Sequence, residues 1–164
     1  MRFQLLDQIV DWRPGQSLRA VKHLTLGEEY LADHFPGFPV MPGVLMLETL
    51  VQAAAWLIRL TEDFDPTVVT LREVKVAKYG TFMEPGQRMD LAVEVQGAYD
   101  PQSTAVMFKG TGEKAGQQTV NARFVVGKRR LETGGPEWAA VDAQLRLYYR
   151  RQYAVLGRRK VADA

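Results

Sequence analysis

The chain has 164 residues and 18.5 kDa, with 46% hydrophobic and 24% charged residues; this suits one globular domain and argues against collagenous, disordered or two-domain cofactor-plus-substrate architectures. No cysteine is present and only two histidines, His23 and His34, which excludes disulfides, thiolate nucleophiles, Fe–S clusters and sulfur-ligated zinc and favours a cytoplasmic location. The net charge of +2 is uneven: residues 1–127 carry 12 basic and 15 acidic groups, residues 128–164 nine and four, so the basic character belongs to the tail.

Residues 1–30 alternate apolar and charged positions, so no signal peptide is expected. Residues 6–12 read as a strand, Pro14-Gly15 as a turn and residues 17–26 as a second strand, an opening hairpin. A loop rich in Pro and Gly follows from His34 to Gly43, and Pro42 suits the first position of a helix that runs to about Leu60. Residues 41–58 are nearly all apolar and long enough to be weighed as a membrane span. Glu48 and Gln52 in the middle argue instead for a helix buried in protein, because a carboxylate at a bilayer centre costs at least about 2.5 kcal/mol. No transmembrane segment is expected.

Beyond Asp65-Pro66 the pattern changes period from 3.6 to 2. Residues 68–79, 89–99, 104–112 and 119–126 read as four strands of an antiparallel sheet. One buried helix followed by such a sheet is an α+β fold in which the sheet wraps the helix. In the tail, Trp138, Val141, Leu145, Tyr148, Tyr149 and Leu156 recur at three- and four-residue steps, predicting an extra C-terminal amphipathic helix. The stripe is expected to pack on the body or on another subunit. The arginines at 146, 150, 151, 158 and 159 would then face outward, towards an acidic partner rather than a nucleic acid.

Candidate chemistry converges on the start of the long helix. The unpaired N–H groups of Gly43 and Val44 form a ready oxyanion site, and His34 is a base that works near neutral pH. Glu48 is a carboxyl group in an apolar helix, a setting that favours the neutral acid, with Gln52 four residues on as a hydrogen-bonding support. A base, a neutral acid and an oxyanion site suit proton abstraction beside a carbonyl. The two serines, Ser17 and Ser103, lie outside any G-x-S-x-G setting and offer no serine-hydrolase site.

The string from His34 to Ala53, with its HFPG, its P-x-MPGV-L run and its E-x-L-x-Q ending, closely resembles the active-site segment of FabZ-type 3-hydroxyacyl-[acyl-carrier-protein] dehydratases of the FabA/FabZ family, which have the hot-dog fold. The resemblance extends more loosely from Phe3 to Val126. It implies residues 1–127 as a hot-dog domain, with 128–164 as a basic extension about which it is silent. By the same resemblance His34 is the catalytic histidine, Glu48 the catalytic acid, and Gly43 and Val44 hold the thioester carbonyl. The implied reaction removes water from a 3-hydroxyacyl thioester to give the trans-2-enoyl thioester in fatty-acid or related biosynthesis. The substrate would ride on the phosphopantetheine arm of acyl carrier protein, with no metal or other cofactor.

In that family the histidine of one subunit works with the carboxylate of its partner, so a dimer or trimer of dimers is expected. Glutamate at position 48, where FabA-type isomerising enzymes usually carry aspartate, favours the plain dehydratase. Two positions depart from the family pattern: Asp33 stands where glycine is frequent, and Gln8 follows Asp7 where arginine is usual. A hot-dog acyl thioesterase and a non-catalytic acyl-carrier-binding module are the alternatives. The G-x-G-x-x-A run at 110–115 lies between strands and reads as a hairpin rather than a dinucleotide site, and His23 reads as a packing or surface residue.

Overall fold

In the computed structural model, residues 3–35 and 37–157 are described. Six strands, β1 (Gln8–Arg13), β2 (Ser17–His23), β3 (Val68–Tyr79), β4 (Arg88–Val95), β5 (Ala105–Lys114) and β6 (Gln117–Arg129), form one antiparallel sheet in the order β1-β2-β4-β5-β6-β3. Consecutive strands pair except at β3, which leaves β4 and closes the far edge against β6. β6 runs two residues past position 127. Residues 110–115 fall in the β5–β6 hairpin, whose turn places Ala115 and Gly116 at φ 47° and 76°.

The first helix, α1 (Gly43–Thr61), is apolar and long enough to cross a membrane, but most of it is buried inside the wrapping sheet, as expected for a core helix. Leu50, Leu57 and Ile58 are fully enclosed with Phe108, Phe124 and Val93. Gly110 on β5 permits this approach, since a Cβ there would lie 3.0 Å from Leu50 Cδ1. Pro42, expected as the first helical residue, is instead the N-cap, with ψ 136°, and its carbonyl accepts the amides of Leu45 and Met46. β2 ends three residues before the expected Leu26: Leu24 still bonds to Gln87 and Gly86 in the turn ahead of β4, and the chain then leaves the sheet. β4 stops at Val95 rather than Tyr99, where the chain enters a turn with Gly97 at φ 89°.

The tail forms two short 3₁₀ turns, Leu131–Gly134 and Pro136–Trp138, and then α2 (Ala139–Leu156). Its inward face differs from the expected stripe. Asp142 is only 1% exposed and accepts hydrogen bonds from the Thr67 hydroxyl, the Leu131 amide and the Arg146 guanidinium. This anchor rotates α2 so that Tyr149, Tyr153 and Leu156 meet the core, while Trp138 and Val141 stay exposed. Arg146 and Arg150, expected to face outward, pair with Asp142 and Asp63 at 2.9 and 2.8 Å. Arg151 is exposed as expected, and residues 158 and 159 lie outside the described residues.

Candidate active site at the start of the core helix

His34 sits half-buried in the loop that leads into α1, its ring 4.4 Å from that of Phe35. The backbone here is sharply bent: Phe35 adopts φ 50°, and the Phe38 amide returns to the Phe35 carbonyl at 2.7 Å. Positive φ is costly for a residue with a Cβ and is held only where surrounding structure enforces it. Here the Phe38 ring packs edge-on against Phe82 at 5.6 Å, and the Met41 amide donates to the Met83 carbonyl at 2.8 Å. The loop is thereby tied to the segment between β3 and β4.

No side chain caps α1. Among the described residues the first amides of α1 with a backbone acceptor are those of Leu45 and Met46, which leaves the N–H groups of Gly43 and Val44 for a ligand, with the positive end of the helix dipole behind them. The absent side chain at Gly43 serves packing as well. A Cβ there would lie 3.1 Å from the Tyr79 ring of β3, which presses against this turn.

Glu48 follows five residues after Gly43 and is half-buried rather than enclosed. Gln52 donates from Nε2 to Glu48 Oε1 at 3.0 Å and to the Phe3 carbonyl at 3.2 Å, and its Oε1 accepts the Leu5 amide at 2.9 Å. Both hydrogen-bonding ends of Gln52 are thus committed, and Glu48 lines a cleft of about 270 Å³ between α1 and α2. Gly43, Val44, Glu48 and Gln52 lie together along one helix. Among the described residues, no hydrogen bond, ion pair or ring contact links the His34 imidazole to Glu48.

Sequence reasoning overlooked two residues of this cleft, Arg59 and Tyr149. The signal for Arg59 was present, a second charge on an apolar helix, but nothing in the helical period shows that α2 folds back over it. His23 is mostly exposed at the end of β2, with Nδ1 3.8 Å from Asp7. Asp7, which Gln8 follows where the family usually has arginine, has the buried Lys22 ammonium at 3.9 Å, and Lys22 also pairs with Glu28 at 2.5 Å.

The FabA-like domain family matches residues 1–123. The 3-hydroxyacyl-[acyl-carrier-protein] dehydratase FabZ of Wolbachia pipientis wMel is 35% identical over 124 residues, spanning 73% of this chain and 85% of that protein. The FabZ of Anaeromyxobacter sp. (strain Fw109-5) is 40% identical over 130 residues, 75% and 78% of the two chains. Among solved structures, the dehydratase heterocomplex ApeI:P from Xenorhabdus doucetiae superposes with a TM-score of 0.63 at 15% identity, covering 78% of this chain and 84% of the other. That similarity establishes the hot-dog fold.

Proposed function

The chain belongs to the FabA-like family, and from that premise we propose that it dehydrates 3-hydroxyacyl thioesters carried on acyl carrier protein to trans-2-enoyl thioesters, as a cytoplasmic enzyme of fatty-acid or related biosynthesis. The single observation that carries the reading is the layout of α1, where two open amides at Gly43 and Val44 precede a Gln52-supported carboxyl group at Glu48. Bound there, the thioester carbonyl accepts the two N–H groups, and the negative charge that grows on its oxygen as the C2–H bond breaks is stabilised by the helix end. His34 takes the C2 proton. Glu48 gives a proton to the C3 hydroxyl, the C3–O bond breaks, water leaves and the C2–C3 double bond forms. These steps call on no cofactor beyond the carrier's phosphopantetheine arm.

We take the site to be completed by a second copy, His34 of one subunit working with Glu48 of the other, as the resemblance of the His34–Ala53 segment implies. β3 supports the same assembly. Among the described residues it is a twelve-residue edge strand bonded on one side only, by β6, with Leu71 and Val74 each over a third exposed, an edge open to strand addition. We assign the active unit as a homodimer or a higher assembly of dimers, and residues 128–164 as an extension of the hot-dog body.

The test is turnover of a 3-hydroxyacyl thioester, followed as enoyl product against free thiol. Enoyl product without thiol release marks the dehydratase; thiol release marks a thioesterase, and neither product marks a binding module. His34→Ala and Glu48→Gln should each lose about 10²- to 10⁴-fold in rate. Mixed and allowed to exchange subunits, the two inactive variants should recover part of the activity, because a heterodimer holds one intact site. No recovery despite proven exchange would place both residues in one chain.

A further inference from the structure

The cleft that starts at Glu48 ends at an uncompensated cation. Arg59 lies eleven residues further along α1, about 16 Å at the helical rise, and is only 7% exposed. Its guanidinium lies 3.8 Å from the Tyr149 ring centroid and 5.9 Å from that of Trp56. Among the described residues it has no hydrogen-bond or ion-pair partner, and its Nε is buried without an acceptor. Facing aromatic rings returns part of the cost of removing a cation from water. A buried charge ordinarily has an anion as well. Burial pulls the guanidinium below its usual value, with the nearby tyrosines opposing that shift.

Both ends of the cleft are therefore chemically distinct. Glu48 stands at the end near the open amides, Ala55 and Trp56 line the passage between, and Arg59 waits at the other end under Tyr148 and Tyr149. An all-hydrocarbon chain reaching that end would leave the guanidinium without an acceptor and remove what water reaches it. A carboxylate there satisfies it, through the planar fork that an arginine offers. Resting on the dehydratase reading above, we infer that Arg59 is a specificity-determining residue that binds a carboxylate at the far end of the acyl chain, so that the preferred substrate is a 3-hydroxyacyl thioester whose chain ends in an acid rather than a methyl group.

Two arms test this in the full-length protein. In the first, thioesters of equal carbon number ending in carboxylate or methyl are compared. The wild type should favour the carboxylate by at least tenfold in kcat/KM, chiefly through KM, and Arg59→Met should abolish or invert the ratio while Arg59→Lys retains part of it. Equal kcat/KM for the two substrates in the wild type would overturn the inference and leave the dehydratase reading standing.

The second arm needs no turnover and decides the subsite whether or not the thioesters react. By calorimetry octanoate should bind the wild type at least tenfold more tightly than 1-octanol, with the advantage lost in Arg59→Met. Octanoate bound no better than octanol would overturn the inference even if the variant failed to fold. Displacement of octanoate by equimolar inorganic phosphate would assign the site to a phosphate-bearing group and overturn it likewise.

Discussion

Gln52 and Glu48 are joined by a 3.0 Å hydrogen bond one helical turn apart on α1, and the same Gln52 side chain accepts the Leu5 amide from the segment ahead of β1. The orientation of the acidic group thus depends on a strand-side anchor outside its own helix. Gln52→Met keeps the bulk and removes its hydrogen bonds to Glu48, the Phe3 carbonyl and the Leu5 amide. With a net worth of about 0.5–1.5 kcal/mol per hydrogen bond, kcat should fall roughly three- to tenfold while KM changes little, as steady-state kinetics on a 3-hydroxyacyl thioester will show. An unchanged kcat would make the contact incidental to the chemistry.

Asp142 should control both the docking of α2 and its acid sensitivity. Burial pushes its carboxyl group up, but the hydrogen bonds from Thr67, Arg146 and the Leu131 amide outweigh this and hold it below the ordinary carboxylate value. A lowered folded value means that the carboxylate adds stability above the ordinary carboxylate range, and that this stability disappears as pH falls through the folded value. Asp142→Asn should cost about 2 kcal/mol at neutral pH, or about 4–8 °C in Tm. The gap between variant and parent should narrow towards pH 3, which thermal melts across a pH series will report.

The open edge of β3 gives a prediction about assembly. Leu71 and Val74 are 38% and 39% exposed in the isolated chain, and a charge at such an edge opposes strand addition. Val74→Glu should shift the protein towards monomer in sedimentation and lower dehydration in proportion to the monomer fraction, with little loss of helical or sheet content by circular dichroism. A monomer with full specific activity would contradict a site shared between subunits.

Removal of residues 134–164 strips Tyr149, Tyr153 and Leu156 from the core and takes away the 3.1 Å bond from Trp12 Nε1 to the Tyr153 hydroxyl. Burial of one large apolar side chain is worth about 1.5–3 kcal/mol, and these three are partly buried. The truncated chain should therefore melt about 10 °C lower. Because Arg146 and Arg150 spend their charge on Asp142 and Asp63, the truncation should change stability more than it changes the salt dependence of turnover on carrier-bound substrate. A large loss of salt response with unchanged melting would reverse that ranking.

Local chemistry was legible in the sequence because it depends on near neighbours along the chain. The span of α1, its burial, the hairpin at 110–115 and the Glu48–Gln52 pair all follow from periodicity, turn residues and the four-residue helical step. The HFPG segment carried the family. Three things needed the tertiary structure. β3 leaves its sequence neighbour β4 to close the sheet against β6, a long-range choice invisible to pattern. The rotation of α2 is set by one buried carboxylate, Asp142, whose partners Thr67 and Leu131 are 75 and 11 residues away; helical periodicity alone put Trp138 and Val141 on the wrong side. Arg59 acquires its character only when Tyr149 folds across it, because the cost of a buried charge depends on what surrounds it in space and not on what flanks it in sequence.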